Sequence, residues 1–528
     1  MKKLTLITTL FIVWASLTAQ TKFHKIFQSI GFEKFSGIEK TSDGYIAVGA
    51  TNSFGASQKD VLVIKTDING DTIWTRTFGG FYNEEAFNVI NTTDGNYVVV
   101  GYTTSYSNYS NDSANFFVLK IAPNGNLIWS RSFGGPSMDI AKNVIETSNH
   151  NYLVIESTNS LGAGCKDVYL LNLSSSGNYL WSRSLGSSGC EYATNAIELG
   201  DKGFIISGKT SSFSFGGYVP FVLRTDSIGS FLWVKTYDIP GSYSPKNITS
   251  NDIIRGYTND LLFVGSKGLG ISVGDAQHYI IDIDSLGNLN WAKSYLMNSG
   301  NSEAASIDKT NSGGFIVGGW MGNYAPALLK VDAIGQRLWS WVYDSPIPPY
   351  YSGKGFKTLT TSDGGYITTG MRYTTGDTIA FLFKTDVNGI YSCTYNAPTS
   401  NASGIITVNI SSQTFTTNLT NLSLINTCET HYAPYNYLTY CSIVGLQEAY
   451  TEDIFDVFPN PFYDILNINT NNNKLSEITL YDITTRKIIQ QKFTNHISLN
   501  TDLLKNGIYI YEIKNESNVI IRRKAIKD

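Results

Sequence analysis

The stretch DVLVIKTDINGDTIWTRTF, Asp60 to Phe78, reads as an apolar strand, a tight polar turn closed by glycine, and a second strand built around a tryptophan. Its first half returns as FFVLKIAPNG (Phe116 to Gly125), DVYLLNLSSSG (Asp167 to Gly177), FVLRTDSIG (Phe221 to Gly229), YIIDIDSLG (Tyr279 to Gly287), ALLKVDAIG (Ala327 to Gly335) and FLFKTDVNG (Phe381 to Gly389). The second half returns as LIWSRSF, YLWSRSL, FLWVKTY, LNWAKSY and RLWSWVY, so Trp74, Trp129, Trp181, Trp233, Trp291 and Trp339 form a ladder with a period of about 53 residues. Upstream of each apolar strand lies another turn and strand, as in TSDGYIAVGAT (41–51), TTDGNYVVVGYT (92–103), DKGFIISGKT (201–210), NSGGFIVGGW (311–320) and TSDGGYITTGM (361–371). The runs are short, alternating and separated by Gly, Asn and Asp, and none keeps a 3.6-residue apolar period.

One more strand precedes each of those turns, as in AFNVINT (86–92) and KNVIETS (142–148). Four strands repeated seven times predict an all-β chain folded as a seven-bladed β-propeller over residues 21–391. Counting back one period from Trp74 lands on Phe23, whose FHKIFQSIG resembles a tryptophan strand and its exit, while the seventh unit runs into GIYSCTY with no Trp. Phe23 to Ser29 is therefore expected to complete the last blade and to remove an open edge; Tyr391, at the right spacing after Trp339, is the alternative occupant. The ladder itself, Phe23 included, is read as packing between blades rather than as a sugar-stacking surface. Loops between second and third strands vary most, for example Ala50 to Lys59 and Thr103 to Ala114, which points to binding on that face or at the mouth of the central channel.

Composition agrees with an exported all-β protein: aromatics make up 13%, Gly numbers 48, and charged residues are only 16%. Lys+Arg at 39 and Asp+Glu at 43 nearly cancel, so the chain offers no long-range attraction for nucleic acid or an anionic membrane. Residues 1–20, MKKLTLITTLFIVWASLTAQ, have the basic start and short apolar run of a signal peptide, and no transmembrane segment is expected in the mature chain. Segment 392–456 loses the repeat and is read as a small β appendage and linker.

From Val457 the sequence changes character. VFPNPFYDILNINT, EITLYDITTRKIIQQKF, the LLKNGIYIYEI strand ending at Ile513 and a basic terminal strand predict a small β-sandwich over 457–528. These motifs, with Pro459, Asn460, Pro461, Gly507 and Tyr509 at their centre, resemble the type A sorting domain of the type IX secretion system. That family commonly has a glycine in the turn after the Tyr-Asp pair, whereas Thr484, Thr485 and Arg486 stand here. The resemblance implies export across the outer membrane of a Bacteroidetes-type bacterium, with the type IX machinery as partner, and a secreted or cell-surface destination.

Chemistry is sparse in the sequence. His24, His150, His278, His431 and His496 are isolated, and no zinc-protease, nucleophile-elbow or phosphate-loop motif occurs. KTDING, DIDSLG and KTDVNG look like calcium loops, but the matched turns IAPNG and LSSSG lack the first carboxylate, so all are read as hairpin turns and no metal or cofactor is expected. Glu84 and Glu85 are read as a solvated pair. Cys165 and Cys190 flank a hairpin symmetrically and are placed to bridge, two free thiols being the alternative; the pairing of Cys393, Cys428 and Cys441 does not follow from sequence. These readings favour a surface binding scaffold for a glycan or protein, with no catalytic residue assigned. An extracellular polysaccharide or peptide hydrolase or lyase, with acids converging at the channel, and a structural envelope or adhesion protein are the alternatives.

Overall fold

The computed structural model describes residues 20–527 except 28, 30, 56–57, 107–112, 215, 240–245, 269–276, 297–301, 322–324, 344–351, 374–375, 391–395, 399–402, 406–407, 414–415, 419–422, 426–428, 433–436, 446–454, 459–461, 471–474, 483–485 and 516–517. Residues 1–19 of the expected signal peptide 1–20, Tyr391, Cys393, Cys428 and the Pro459-Asn460-Pro461 motif lie outside the described residues. The chain is all-β and divides into two compact parts, Thr21–Val444 and Gly445–Asp528, the latter grouped with Met1–Gln20.

Thr21–Val444 is a succession of four-stranded antiparallel units. In unit one, Glu33–Thr41, Gly44–Thr51, Asp60–Asp67 and Thr72–Gly79 pair in chain order; units two to six continue the pattern at 84–134, 139–186, 191–238, 246–296 and 302–343. Unit five has a divided first strand, Lys246–Ile248 and Asp252–Arg255, and the first piece also pairs in parallel with Gly217 and Tyr218 of unit four, merging two sheets into one. Unit seven holds three strands from 352–385, and its fourth is Gln20–Phe27 from the start of the chain, with Phe23 opposite Lys384 and Phe27 opposite Ala380. The first strands of consecutive units lie against one another, and that of unit seven lies against that of unit one.

The recurring sequence signs have a common cause. The Asp of each TSDG-type turn faces the basic residue of the third strand: Asp43 pairs with Lys65, Asp94 with Lys120, Asp201 with Arg224 and Asp363 with Lys384. The ammonium or guanidinium is buried at the sheet and the carboxylate sits in the turn above it, so in units one, two, four and seven a buried charge is matched within the unit; unit six has Lys330 on its third strand and Ser312 in its turn. The calcium-like turns are hairpin turns in which the turn Asp is spent on backbone amides: Asp67 Oδ1 accepts from the N–H of Asn69 and Asp71, and Asp284 Oδ1 from Leu286 and Asn288.

Each such turn ends on a glycine at φ between +73° and +84°, and each glycine is covered by the aromatic ladder of the preceding unit. A Cβ on Gly125, Gly177, Gly229, Gly287, Gly335 or Gly389 would lie 2.6–3.1 Å from Trp74, Trp129, Trp181, Trp233, Trp291 or Trp339 respectively, and one on Gly70 would lie 2.7 Å from Phe23. Only glycine satisfies both the left-handed backbone and this approach. In units four to six the strand ends in tyrosine, and Tyr237, Tyr295 and Tyr343 donate to the carbonyls of Gly287, Gly335 and Gly389 at 2.9, 2.6 and 2.7 Å.

Of segment 392–456, read from sequence as a small β appendage and linker, the described strands up to residue 444 group with Thr21–Val444 and are distributed over all its units. Asn396–Pro398 pairs with the fourth strand of unit six, Ser403–Ile405 with that of unit five, Asn409–Gln413 with unit four, Thr416–Asn418 with unit three, Ser423–Ile425 with unit two, Glu429–Tyr432 with unit one and Tyr437–Gly445 with Gln20–Phe27. The physical reason is the outer strand of each unit, whose unpaired N–H and C=O groups accept a short extended segment. The chain thus makes a belt of fifth strands in the reverse of unit order.

In the C-terminal part, Phe455–Phe458, Ile465–Thr470 and His496–Asn500 form one sheet, and Lys487–Phe493, Ser476–Asp482, Gly507–Asn515 and Asn518–Lys527 form another, in that order. Leu466, Ile468 and Leu499 of the first sheet pack with Ile478, Leu480, Tyr511 and Ile513 of the second in one core. The turn after Tyr481-Asp482, where no glycine stands, is tied by Asp482, which accepts from the N–H and Nε of Arg486 at 3.0 and 3.1 Å. Gly507 opens its strand, and the Tyr509 hydroxyl donates to the carbonyl of Lys505 at 2.7 Å.

Candidate functional site

First strands carry a β-bulge at the same position in six units. The extra residue is Ser36, Phe87, Lys142, Thr194, Ala305 or Phe356, each falling between the paired positions on either side. In unit five the break before Asp252 stands in its place. A bulge turns its extra side chain out of the ladder, and all six line one cavity of about 580 Å³, together with Asn251 and Asp252. Sequence reading placed binding at a channel mouth but not these residues. The signal was an apolar-polar alternation that slips by one in each first strand.

One side of the cavity is a polar network. Asn88 Nδ2 donates to Asn143 Oδ1, Asn195 Nδ2 donates to Asp252 Oδ1 at 2.6 Å, and Lys357 of unit seven reaches Asp252 of unit five at 2.9 Å. Asp252 also accepts from the N–H of Ile307 at 3.1 Å. Glu303 accepts from Trp320 Nε1 and Asn251 Nδ2, both at 3.2 Å. Lys34 pairs with Glu85 at 2.5 Å.

Five lysines line this cavity against two carboxylates. Lys142 sits 3.5 Å from the Phe87 ring centre, Lys166 and Lys209 each 5.2 Å from that of Tyr192. Enclosure by protein, followed by the charges of Lys34 and Lys166, pushes Lys142 down to about 8. Burial likewise lowers Lys166 and Lys209.

Other residues singled out by sequence lie elsewhere. The ladder aromatics pack between units, as described. Glu84 and Glu85 are not solvated: both are buried. Glu84 accepts from Thr103 Oγ1 at 2.7 Å, Ser105 N–H at 3.1 Å and Gly80 N–H at 2.8 Å. The same arrangement recurs at Glu33, Asp139 and Glu191, where an acid opening the first strand binds a Thr and Ser at the end of the second. That spacing, acid then Thr-x-Ser, was the missed sign. His24 and His278 are buried in strands, and burial holds both well below the usual imidazole range, His278 at about 4. His150 is exposed in a turn, His496 is exposed at the start of its strand, and the side chain of His431 lies outside the described residues. Cys165 and Cys190 are joined in a disulfide with Cα atoms 5.1 Å apart. Among the described residues no group of three or more His, Cys, Asp or Glu could hold a metal ion, and no helix is long and apolar enough to cross a membrane.

Residues 456–528 match the family model described as a secretion system C-terminal sorting domain, the Por secretion tail. The tail is a type IX sorting domain. It marks the protein as a secreted or cell-surface cargo of that machinery. No curated protein sequence matches the chain. Among solved structures, the chain is similar to PorZ, a bacterial surface component of the type IX secretion system of Porphyromonas gingivalis, at 11% identity over 92% of this chain and 58% of that one, with a TM-score of 0.38. It is also similar to a puromycin hydrolase at 14% identity over 66% of this chain and 51% of that one, with a TM-score of 0.34. A subtype N10 neuraminidase-like protein is similar at 9% identity over 69% of this chain and all of the other, with a TM-score of 0.32. The chain thus spans less than two thirds of the first two.

Proposed function

We propose that Thr21–Val444 is a seven-bladed β-propeller acting as a binding scaffold at the cell surface, with its ligand held in the central cavity and the sorting tail, a small β-sandwich, serving export. The seven repeated aromatic-on-glycine contacts, Phe23 on Gly70 included, support the ring. The contact between the first strands of units seven and one does so as well. One observation carries the binding reading: six bulges, each a local loss of ladder pairing, direct their extra residues into a single cavity. Bulges cost sheet regularity, and their repetition at one level indicates a lined site rather than accidental irregularity. The carboxylates there, Asp252 and Glu303, are engaged by amide, indole and ammonium donors, which suits shaping a pocket better than moving protons. The ligand is a glycan or a protein.

The test is an array of glycans and a surface-protein pull-down with the full chain after removal of its leader, beside a Phe87→Ala, Phe356→Ala double variant. Saturable binding that the variant loses supports the reading. Binding unchanged in the variant, or turnover of a bound polysaccharide, overturns it.

A further inference from the structure

Resting on the reading of the cavity as a binding site, we infer that its ligand is an acidic glycan, a short sugar chain whose carboxylate or sulfate is held by Lys142, Lys166 and Lys209. Of the five cavity lysines, Lys34 and Lys357 already have carboxylate partners, Glu85 and Asp252. The ammonium groups of Lys142, Lys166 and Lys209 make no hydrogen bond or ion pair among the described residues. They lie instead over aromatic rings: Lys142 over Phe87, Lys166 and Lys209 beside Tyr192, and Lys209 also 4.9 Å from the Tyr218 centre. Carboxylates act on them only from beyond ion-pair distance, Glu85 on Lys142, Asp139 and Glu156 on Lys166, and Glu303 on Lys209, so three ammonium groups without a contacting anion share one space, and an anion among them would be held by all three. Burial first, and then the charges of Lys34 and Lys166 against the opposing Glu85, lower the affinity of Lys142 for its proton, in keeping with that crowding of positive charge.

The remainder of the lining decides the ligand class. Phe87, Phe356 and Tyr192 alternate with Ser36, Asn88 and Thr194, and flat apolar faces interleaved with short hydroxyls and amides suit a pyranose ring with its equatorial hydroxyls. The volume of about 580 Å³ is that of a site for a small organic ligand. An acidic peptide is the competing occupant, since the belt covers only the outer edge of each unit and the cavity-lining first strands keep a free edge for strand addition; the triglutamate titration tests it.

The experiment is calorimetric titration of the chain without its leader, using four acidic probes: an oligogalacturonate trimer, a hyaluronan tetrasaccharide, a chondroitin sulfate tetrasaccharide and sialyllactose. Their carboxyl-reduced or desulfated counterparts and a triglutamate peptide are titrated alongside. Expected is saturable binding of at least one acidic sugar, weakened about tenfold or more in its neutral counterpart and in Lys142→Gln and Lys209→Gln. The carboxylate and sulfate probes tell the two anions apart. Thermal unfolding of both variants checks that they fold, and Lys142→Arg, which keeps the charge, is expected to retain binding. If neutral sugars bind as well as acidic ones, or the lysine variants bind unchanged, the acidic-glycan inference fails while the cavity reading stands. If triglutamate binds more tightly than every sugar, the ligand is peptidic and the inference fails. If no sugar binds and the array and pull-down are also empty, both fail.

Discussion

At the scale of single residues, the pairing between turn acid and third-strand base explains which units stray from the repeat. Unit three has neither partner, with Asn172 on its third strand, so no charge is stranded. Unit five has an acid on both sides: Asp282 takes the basic position and faces Asp260. Burial first, and then Asp260, push Asp282 up to about 7. A carboxyl whose folded pKa is raised binds more protons folded than unfolded between about 4 and 7, so its contribution to stability is present at low pH and declines as pH rises through that window. At about 1.4 kcal/mol per unit, the change is on the order of 2–4 kcal/mol. Asp282→Asn is expected to flatten this part of the profile. Asp282→Lys, by pairing with Asp260 as Lys65 does with Asp43, is expected to stabilise the protein at pH 8; urea unfolding at pH 4.5 and 8 reads both. The disulfide belongs to this scale too. It closes a loop of 25 residues, and its reduction is expected to lower stability by about 2–3 kcal/mol. A non-reducing peptide map should recover Cys165 and Cys190 in one linked fragment, and finding both freely alkylatable would remove that prediction.

Among elements, the hairpin turn and the tryptophan strand work as a pair across neighbouring units, and this pairing is why the fold class was legible at all. A glycine at fixed spacing after DxxG-like turns, followed by an aromatic, leaves a period that no helix pair with these short alternating runs would produce. Gly229→Ala is expected to cost about 2–4 kcal/mol, since the new methyl meets both the left-handed backbone and the Trp181 ring; Trp181→Ala, which leaves a void, should cost about 3–5 kcal/mol. Denaturant titration of the two single variants measures each, and a loss under 1 kcal/mol for both would contradict the packing role. The bulges were not legible, because a one-residue slip in a first strand such as EEAFNVIN leaves no composition change, only a phase change that becomes visible once Phe87 is seen unpaired between Ala86 and Asn88. Nor were the belt strands. Three-residue segments such as Thr416–Asn418 are too short for periodicity, and their conformation is dictated by the edge they meet rather than by their own side chains.

For the molecule as a whole, the two compact parts have separate cores, and removal of the tail after Gly445 is expected to leave the melting temperature of Thr21–Val444 unchanged within about 1 °C while abolishing delivery outside the cell. Truncation after 391 also removes the belt and should expose the outer edge of every unit; light scattering is expected to reveal aggregation in the shorter chain and not in the longer. The belt has a mechanical consequence as well. Its last strand, Tyr437–Gly445, is hydrogen-bonded to Gln20–Phe27, so a pull on the chain beyond Gly445 loads first the strand with which the described structure begins. Detachment must then proceed one short strand at a time, through unit seven, then one, two and onward to six, each step releasing a few hydrogen bonds before the next is stressed. Force applied during or after export would therefore be met by a sequence of small yields rather than by one abrupt rupture, and the cavity-lining first strands, at the opposite edge of each sheet, would be the last to feel it.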